Sequence, residues 1–246
     1  MSDLKTLLEY YRDLGVKELY RSAPTPLPLP ASVASLEIPD MPKVPTPTVL
    51  PGLAPDNDSF DLIRADIGDC RRCRLSEGRN KIVFGSGSPQ AKLVFVGEAP
   101  GQEEDLQGLP FVGRAGQLLT QMINNTALKE GINISRDDVY IANVAKCRPP
   151  ENRAPLPDEM EICGQFLARQ LEVLKPKAIC ALGGTSAKAL LGLKEGVTKM
   201  RGNWYKWRDF PVMVTYHPSF LLRAYNVEAK REAWLDLKKV LHFVYD

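Results

Sequence analysis

Five cysteines stand in the chain, and Cys70 and Cys73 form a C-x-x-C pair. That spacing lets two thiolates on one turn bind one metal centre. Cys147 and Cys163 lie much further along and are candidates to converge on the pair. Four thiolates suit tetrahedral zinc or an iron–sulfur cluster, and spacing alone does not choose between them. Cys180 sits in the apolar run AICAL and reads as a small core residue. Arg71, Arg72, Arg74, Arg79 and Lys81 crowd the first pair, and Lys146, Arg148 and Arg153 the third cysteine. Such cations either offset thiolate charge or meet phosphates.

A second set of residues lies at the ends of apolar runs. In LVFVGEAPGQEEDLQGLPFVGRAG (93–116), a strand-like run breaks into a tight Gly97–Gly101 turn and then presents Glu98, Glu103, Glu104 and Asp105 beside Phe111. Such a turn is either a candidate site or a loop of solvated acids. Asn143 falls inside the apolar run VYIANV, where an unpaired amide costs about 1–3 kcal/mol. It serves either a ligand or a loop backbone. His217 precedes Pro218-Ser219 after FPVMVTY and is one of only two histidines, His242 having no comparable context.

These residues need elements to hold them. Helical spacing predicts helices over Phe60–Asp69, Ala115–Asn125, Pro157–Leu174, Ala187–Leu191 and Glu228–Tyr245. Strands are expected at Leu93–Val96, Val139–Val144, Ala178–Leu182 and Phe210–Tyr216. Alternation of the two implies right-handed crossovers and an α/β fold, a three-layer α/β/α sandwich around a central, mainly parallel four-stranded sheet. Ligands of such sheets bind outside the carboxyl ends of the strands, where Glu98, Asn143 and His217 all fall. Residues 1–21 read as an amphipathic helix, with Leu4, Leu7, Leu8 and Tyr11 on one face. Residues 22–55 are Pro-rich and read as a linker of low order, and residues 56–246 as the folded domain. The helix either packs on the body or binds a protein partner, and the linker either docks recognition modules or is a tether with no partner.

Composition sets limits. A net charge of +2 over 246 residues means that any basic surface is local. No apolar run has the roughly 18 residues of a membrane helix, and the N-terminus does not look like a secretory signal. A cytoplasmic, prokaryote-like monomer with reduced thiols is the expectation.

Taken together, GEAPGQEEDLQGLPFVGRAGQLL (97–119), NVAKCRPPENRAP (143–155), HPSFLLR (217–223) and four cysteines resemble the family 4 uracil-DNA glycosylases, the iron–sulfur branch of their superfamily. The resemblance runs from about residue 60 to the C-terminus. It implies a monofunctional enzyme that hydrolyses the N-glycosidic bond of deoxyuridine in DNA, leaving an abasic site for base excision repair. It implies that Cys70, Cys73, Cys147 and Cys163 hold a [4Fe-4S] cluster, structural rather than chemical. Phe111 matches the aromatic that stacks on uracil, Asn143 the amide that reads the base edge, and His217 the donor to uracil O2. Ala99 and Gly101 complete the base-binding loop.

The better-known branch places a water-activating aspartate where this chain has Ala99, so no residue is named as general base. Glu98 and Glu104 match loop acids that position water, balance the sugar cation or bar the thymine methyl. Leu221 and Leu222 are expected to wedge into the base stack or to start a helix in the core, and Arg223 to meet phosphate. The alternative from another class is a non-catalytic nucleic-acid-binding Fe–S module of the same fold. Joint retention of Phe111, Asn143 and His217 argues against it. The branch that forms a covalent adduct with DNA carries an extra histidine in an inserted loop, and none lies between Cys147 and Cys163.

Overall fold

The computed structural model describes residues 57–223 and 226–246. The expected N-terminal helix and Pro-rich linker lie outside the described residues.

Four strands form the core of one sheet: β2 (Leu93–Gly97), β3 (Tyr140–Asn143), β4 (Ala178–Leu182) and β6 (Phe210–Thr215). They run parallel in the order β3-β2-β4-β6. Two short antiparallel strands extend the edges: β1 (Ser86–Gly87) beside β3, and β5 (Trp204–Trp207) beside β6. The sheet is therefore six-stranded and mixed, with the expected parallel four at its centre. Apolar side chains fill both faces in strict alternation. Val94, Val96, Ala142, Ile179 and Val214 point one way and Leu93, Phe95, Ile141, Cys180 and Met213 the other.

Helices complete the layers. On the first face lie α4 (Pro157–Leu174), α5 (Gly184–Leu191) and the short α6 (Val197–Met200). On the second lie α3 (Arg114–Glu130) and α8 (Val227–Tyr245). The helix α1 (Phe60–Ile67) joins Phe84, Cys163 and Phe166 in a satellite cluster. Two short helices follow strand ends, α2 (Gln102–Gln107) after β2 and α7 (Pro218–Leu221) after β6. Among the described residues no helix is long and apolar enough to cross a membrane.

The parallel register brings the strand ends level. Gly97 is paired with Asn143, and Leu182 with Thr215. Ladder-like bonds continue past the sheet, from Val144 N–H to the Gly97 carbonyl (3.0 Å) and from Ala145 N–H to that of Glu98 (3.1 Å). The loops after β2, β3, β4 and β6 thus emerge together along one edge.

Candidate active site and thiol cluster

Those loops surround a cavity of about 310 Å³, walled by Glu98, Glu104, Phe111, Asn143, Gly183 and His217, with Ala99 and Gly101 also lining it. Phe111, Asn143 and His217 therefore face one space, as the sequence predicts. Asn143 is 1% exposed, and its Oδ1 is buried with no hydrogen-bond partner. A Cβ built on Gly97 would fall 2.3 Å from that oxygen and 2.5 Å from the Phe111 ring, so only glycine fits beneath them. The Phe111 ring lies 5.6 Å from the His217 ring, tilted by 38°.

His217 caps α7. The Ser219 backbone N–H donates to its Nδ1 (3.2 Å), and the Ser219 hydroxyl lies 2.7 Å from the same atom. With Nδ1 accepting, the proton of the neutral imidazole sits on Nε2. Burial pushes the His217 pKa down to about 4, with the Glu104 charge acting weakly against it. At neutral pH the ring is uncharged and still a donor.

Glu104 and Glu98 differ. One Glu104 oxygen accepts from the N–H groups of Val112 and Gly113 (both 2.9 Å), and the other from Gly101 N–H (3.1 Å). Its carboxylate staples two loops together. The Glu98 carboxylate lines the cavity with no hydrogen bond to any described residue. Sequence reasoning treats the two acids alike because the staple is made to backbone atoms, which carry no sequence signature.

The loop after β6 revises one expectation. Leu221 is 1% exposed and packs with Leu118, Tyr216 and Ala233. It is thus a core residue, because α7 turns that position inward. Leu222 is half-buried against the same cluster. Phe220, 37% exposed and stacked on Tyr216, is the apolar side chain this turn offers to a partner, with Arg223 exposed beside its ring.

Cys70, Cys73, Cys147 and Cys163 line a second, small cavity, walled otherwise by Ile67, Ile82, Ile162 and Phe166 together with Arg79 and Lys146. Arg79 donates to the Cys70 carbonyl (2.6 Å) and to Cys147 Sγ (3.6 Å), and Lys146 N–H to Cys163 Sγ (3.1 Å). Burial pushes the Cys147 thiol up to about 11 and Cys163 up to about 12, while Arg79 and Lys146 pull the other way. Among the described residues no group of three or more His, Cys, Asp or Glu side chains is placed to hold a single metal ion. Four thiols lining one cavity, met by N–H donors, have the donor chemistry of a thiolate-bound metal centre. Cys180 stands apart, fully buried in β4. Several nearby arginines are already paired: Arg71 and Arg79 with Asp69, Arg72 with Asp66, Arg74 with Asp158.

A family model for the Uracil DNA glycosylase superfamily matches residues 84–238, a span holding every residue of the first cavity, whereas Cys70 and Cys73 of the second precede it. The chain belongs to that superfamily. Within it, the chain is 42% identical over 187 residues to a type-4 uracil-DNA glycosylase of Thermotoga maritima, covering 75% of this chain and 94% of that one. It is 42% identical over 191 residues to that of Sulfurisphaera tokodaii, covering 74% and 84%. To that of Archaeoglobus fulgidus it is 41% identical over 191 residues, covering 74% and 92%. The first cavity lies inside the matched span, at the carboxyl ends of the parallel strands.

Proposed function

We propose that this chain is a uracil-DNA glycosylase, hydrolysing deoxyuridine in DNA to free uracil and an abasic site in base excision repair. The observation that carries the reading is the orphaned Asn143 Oδ1 in the wall of an aromatic-lined pocket. A buried acceptor without a donor costs about 1–3 kcal/mol, which a ligand N–H recovers. Uracil N3–H is such a donor, and uracil O4 accepts from the same amide's NH₂. Cytosine presents the reverse pattern and leaves both ends unpaired, which is how a hydrogen-bonding pocket rejects a near-isostere.

The target base leaves the stack to enter the pocket, and the Phe111 face supports it. As the bond between N1 and C1′ breaks, the pair of electrons passes to uracil and spreads onto O2, while the sugar becomes oxocarbenium-like. His217, neutral with its proton on Nε2, donates to that oxygen. The charge is absent from the ground state, so the bond strengthens in the transition state and lowers the barrier. Glu98, with its carboxylate unengaged, balances the sugar cation or orients the water that adds to C1′. Glu104 acts by holding the loop. Phe220 fills the gap left by the everted base, and Arg223 meets a flanking phosphate.

Cys70, Cys73, Cys147 and Cys163 would hold a [4Fe-4S] cluster, which supplies a structural cross-link between the 70–79 and 144–163 segments and no step of the hydrolysis. The enzyme works as a monomer inside the cell. The test is incubation with a uracil-containing oligonucleotide followed by alkali. Strand scission at the uracil position is expected, and an intact strand overturns the reading.

A further inference from the structure

Phe111 forms a wall of the pocket while its backbone sits at φ 53°. That region costs a non-glycine residue about 1–3 kcal/mol and persists only where surroundings over-determine it. Two charged side chains do so from opposite sides. Downstream, Glu104 takes the N–H groups of Val112 and Gly113. Upstream, Arg136 donates from Nη2 to the Pro110 carbonyl at 2.8 Å.

Arg136 is itself well anchored. Its Nη1 donates to Thr120 Oγ1 (2.8 Å) and more distantly to the Gly116 carbonyl (3.4 Å), and its backbone N–H donates to Asn124 Oδ1 (3.0 Å). It thereby ties the Phe111 loop to one face of α3. Gly116 permits the close approach, since a Cβ there would lie 1.9 Å from the Phe111 carbonyl carbon. The half-buried Arg136 also lies near enough to Glu104 to feel its charge. The clamp thus carries opposite charges on the two sides of the strained residue. Arg136, unlike Glu104, does not line the pocket.

The geometry points to Arg136 as a positioning residue for base recognition: it pre-sets Phe111 for stacking before any base arrives. This rests on the uracil reading above. A loop already in its bound conformation spares the base the cost of ordering it. Arginine suits the task because its fork reaches two acceptors in different directions, whereas an ammonium is a single point.

The test compares wild type, Arg136→Ala and Arg136→Lys by inhibition with free uracil, single-turnover excision, binding to undamaged DNA, and thermal melting. Arg136→Ala should weaken uracil inhibition and slow excision by about 10- to 100-fold, the scale set by small misplacements in a pocket. Binding to undamaged DNA should stay within about twofold, since backbone contacts lie elsewhere. Arg136→Lys should fall between. In a Phe111→Ala background, Arg136→Ala should cost uracil inhibition nothing further, and an additive loss overturns the proposal. So does wild-type uracil inhibition in Arg136→Ala, or an equal loss of undamaged-DNA binding. If Arg136→Ala does not fold, Arg136→Lys decides, and inhibition equal to wild type overturns the clamp. A wild-type protein that neither excises uracil nor is inhibited by it overturns the functional reading instead.

Discussion

At the scale of single residues, the site depends on groups kept in the state that water would not choose. His217 is neutral well below the ordinary histidine range because burial disfavours its charge, and Ser219 directs its proton to Nε2. The active form is the deprotonated ring, so lowering pH toward about 4 should protonate His217 and reduce kcat, with a plateau across neutral pH. The same depression has a stability sign. Unfolded, the ring takes a proton near its usual 6.5, so this contribution is fully present above 6.5 and declines as pH falls toward 4. His217→Ala should lower single-turnover excision by about 10²–10³ with DNA affinity nearly unchanged. A variant as fast as wild type would remove the histidine from the chemistry. Asn143→Asp exchanges an amide for a group that only accepts when ionised. Discrimination between uracil and cytosine should weaken, measured as the ratio of excision rates on paired oligonucleotides.

At the scale of elements, what sequence reasoning reaches follows from how strongly each segment signals itself. The helix Pro157–Leu174 was legible to the residue, because Pro157 suits the first turn and Pro176 stops the chain beyond it. The four core strands were legible as short apolar runs, which end at Gly97, Asn143, Leu182 and Thr215. β1 is two residues long, and β5 reads WYKW, an edge strand with a half-exposed face, so neither shows an apolar run. The six-residue α2 hides among acids, and α7 buries Leu221 through a rotation no local pattern encodes. The clamp on Phe111 was invisible because it joins Arg136 to a carbonyl 26 residues away. It yields a prediction about α3: Gly116→Ala would set a methyl 1.9 Å from the Phe111 carbonyl, where backbone cannot yield cheaply. The expected result is a loss of about 1–3 kcal/mol in urea unfolding, with slowed excision. Unchanged stability and rate would show that the loop relaxes freely.

At the scale of the whole molecule, pocket and thiol cluster share one segment. Asn143 ends β3, its carbonyl accepts from the buried Lys146 ammonium (3.0 Å), and Cys147 follows at once. Lys146 also donates to Gln170 on α4 (2.6 Å), so the chain from 143 to 147 is braced against that helix. Loosening the thiol end should therefore reach the base-reading amide. Cys147→Ser should lose iron and visible absorbance, melt at least about 5 °C lower, and excise uracil more slowly, because a metal bound only by the folded chain adds its binding energy to stability. Equal melting with undiminished absorbance would mean that Cys147 is not a ligand. The opposite expectation holds for the other end of the chain. The superfamily match spans residues 84–238, and the cavity, the clamp and the four thiols all fall between residues 70 and 219. None of the described cavity, clamp or thiol residues comes from residues 1–56. A chain beginning at residue 57 should keep its excision rate on a short uracil oligonucleotide within about twofold, since distant and independent parts act additively. Its melting temperature should match that of the full chain. A dead or unfolded truncation would instead place the N-terminal quarter inside the folding unit, and the domain boundary near residue 56 would have to move.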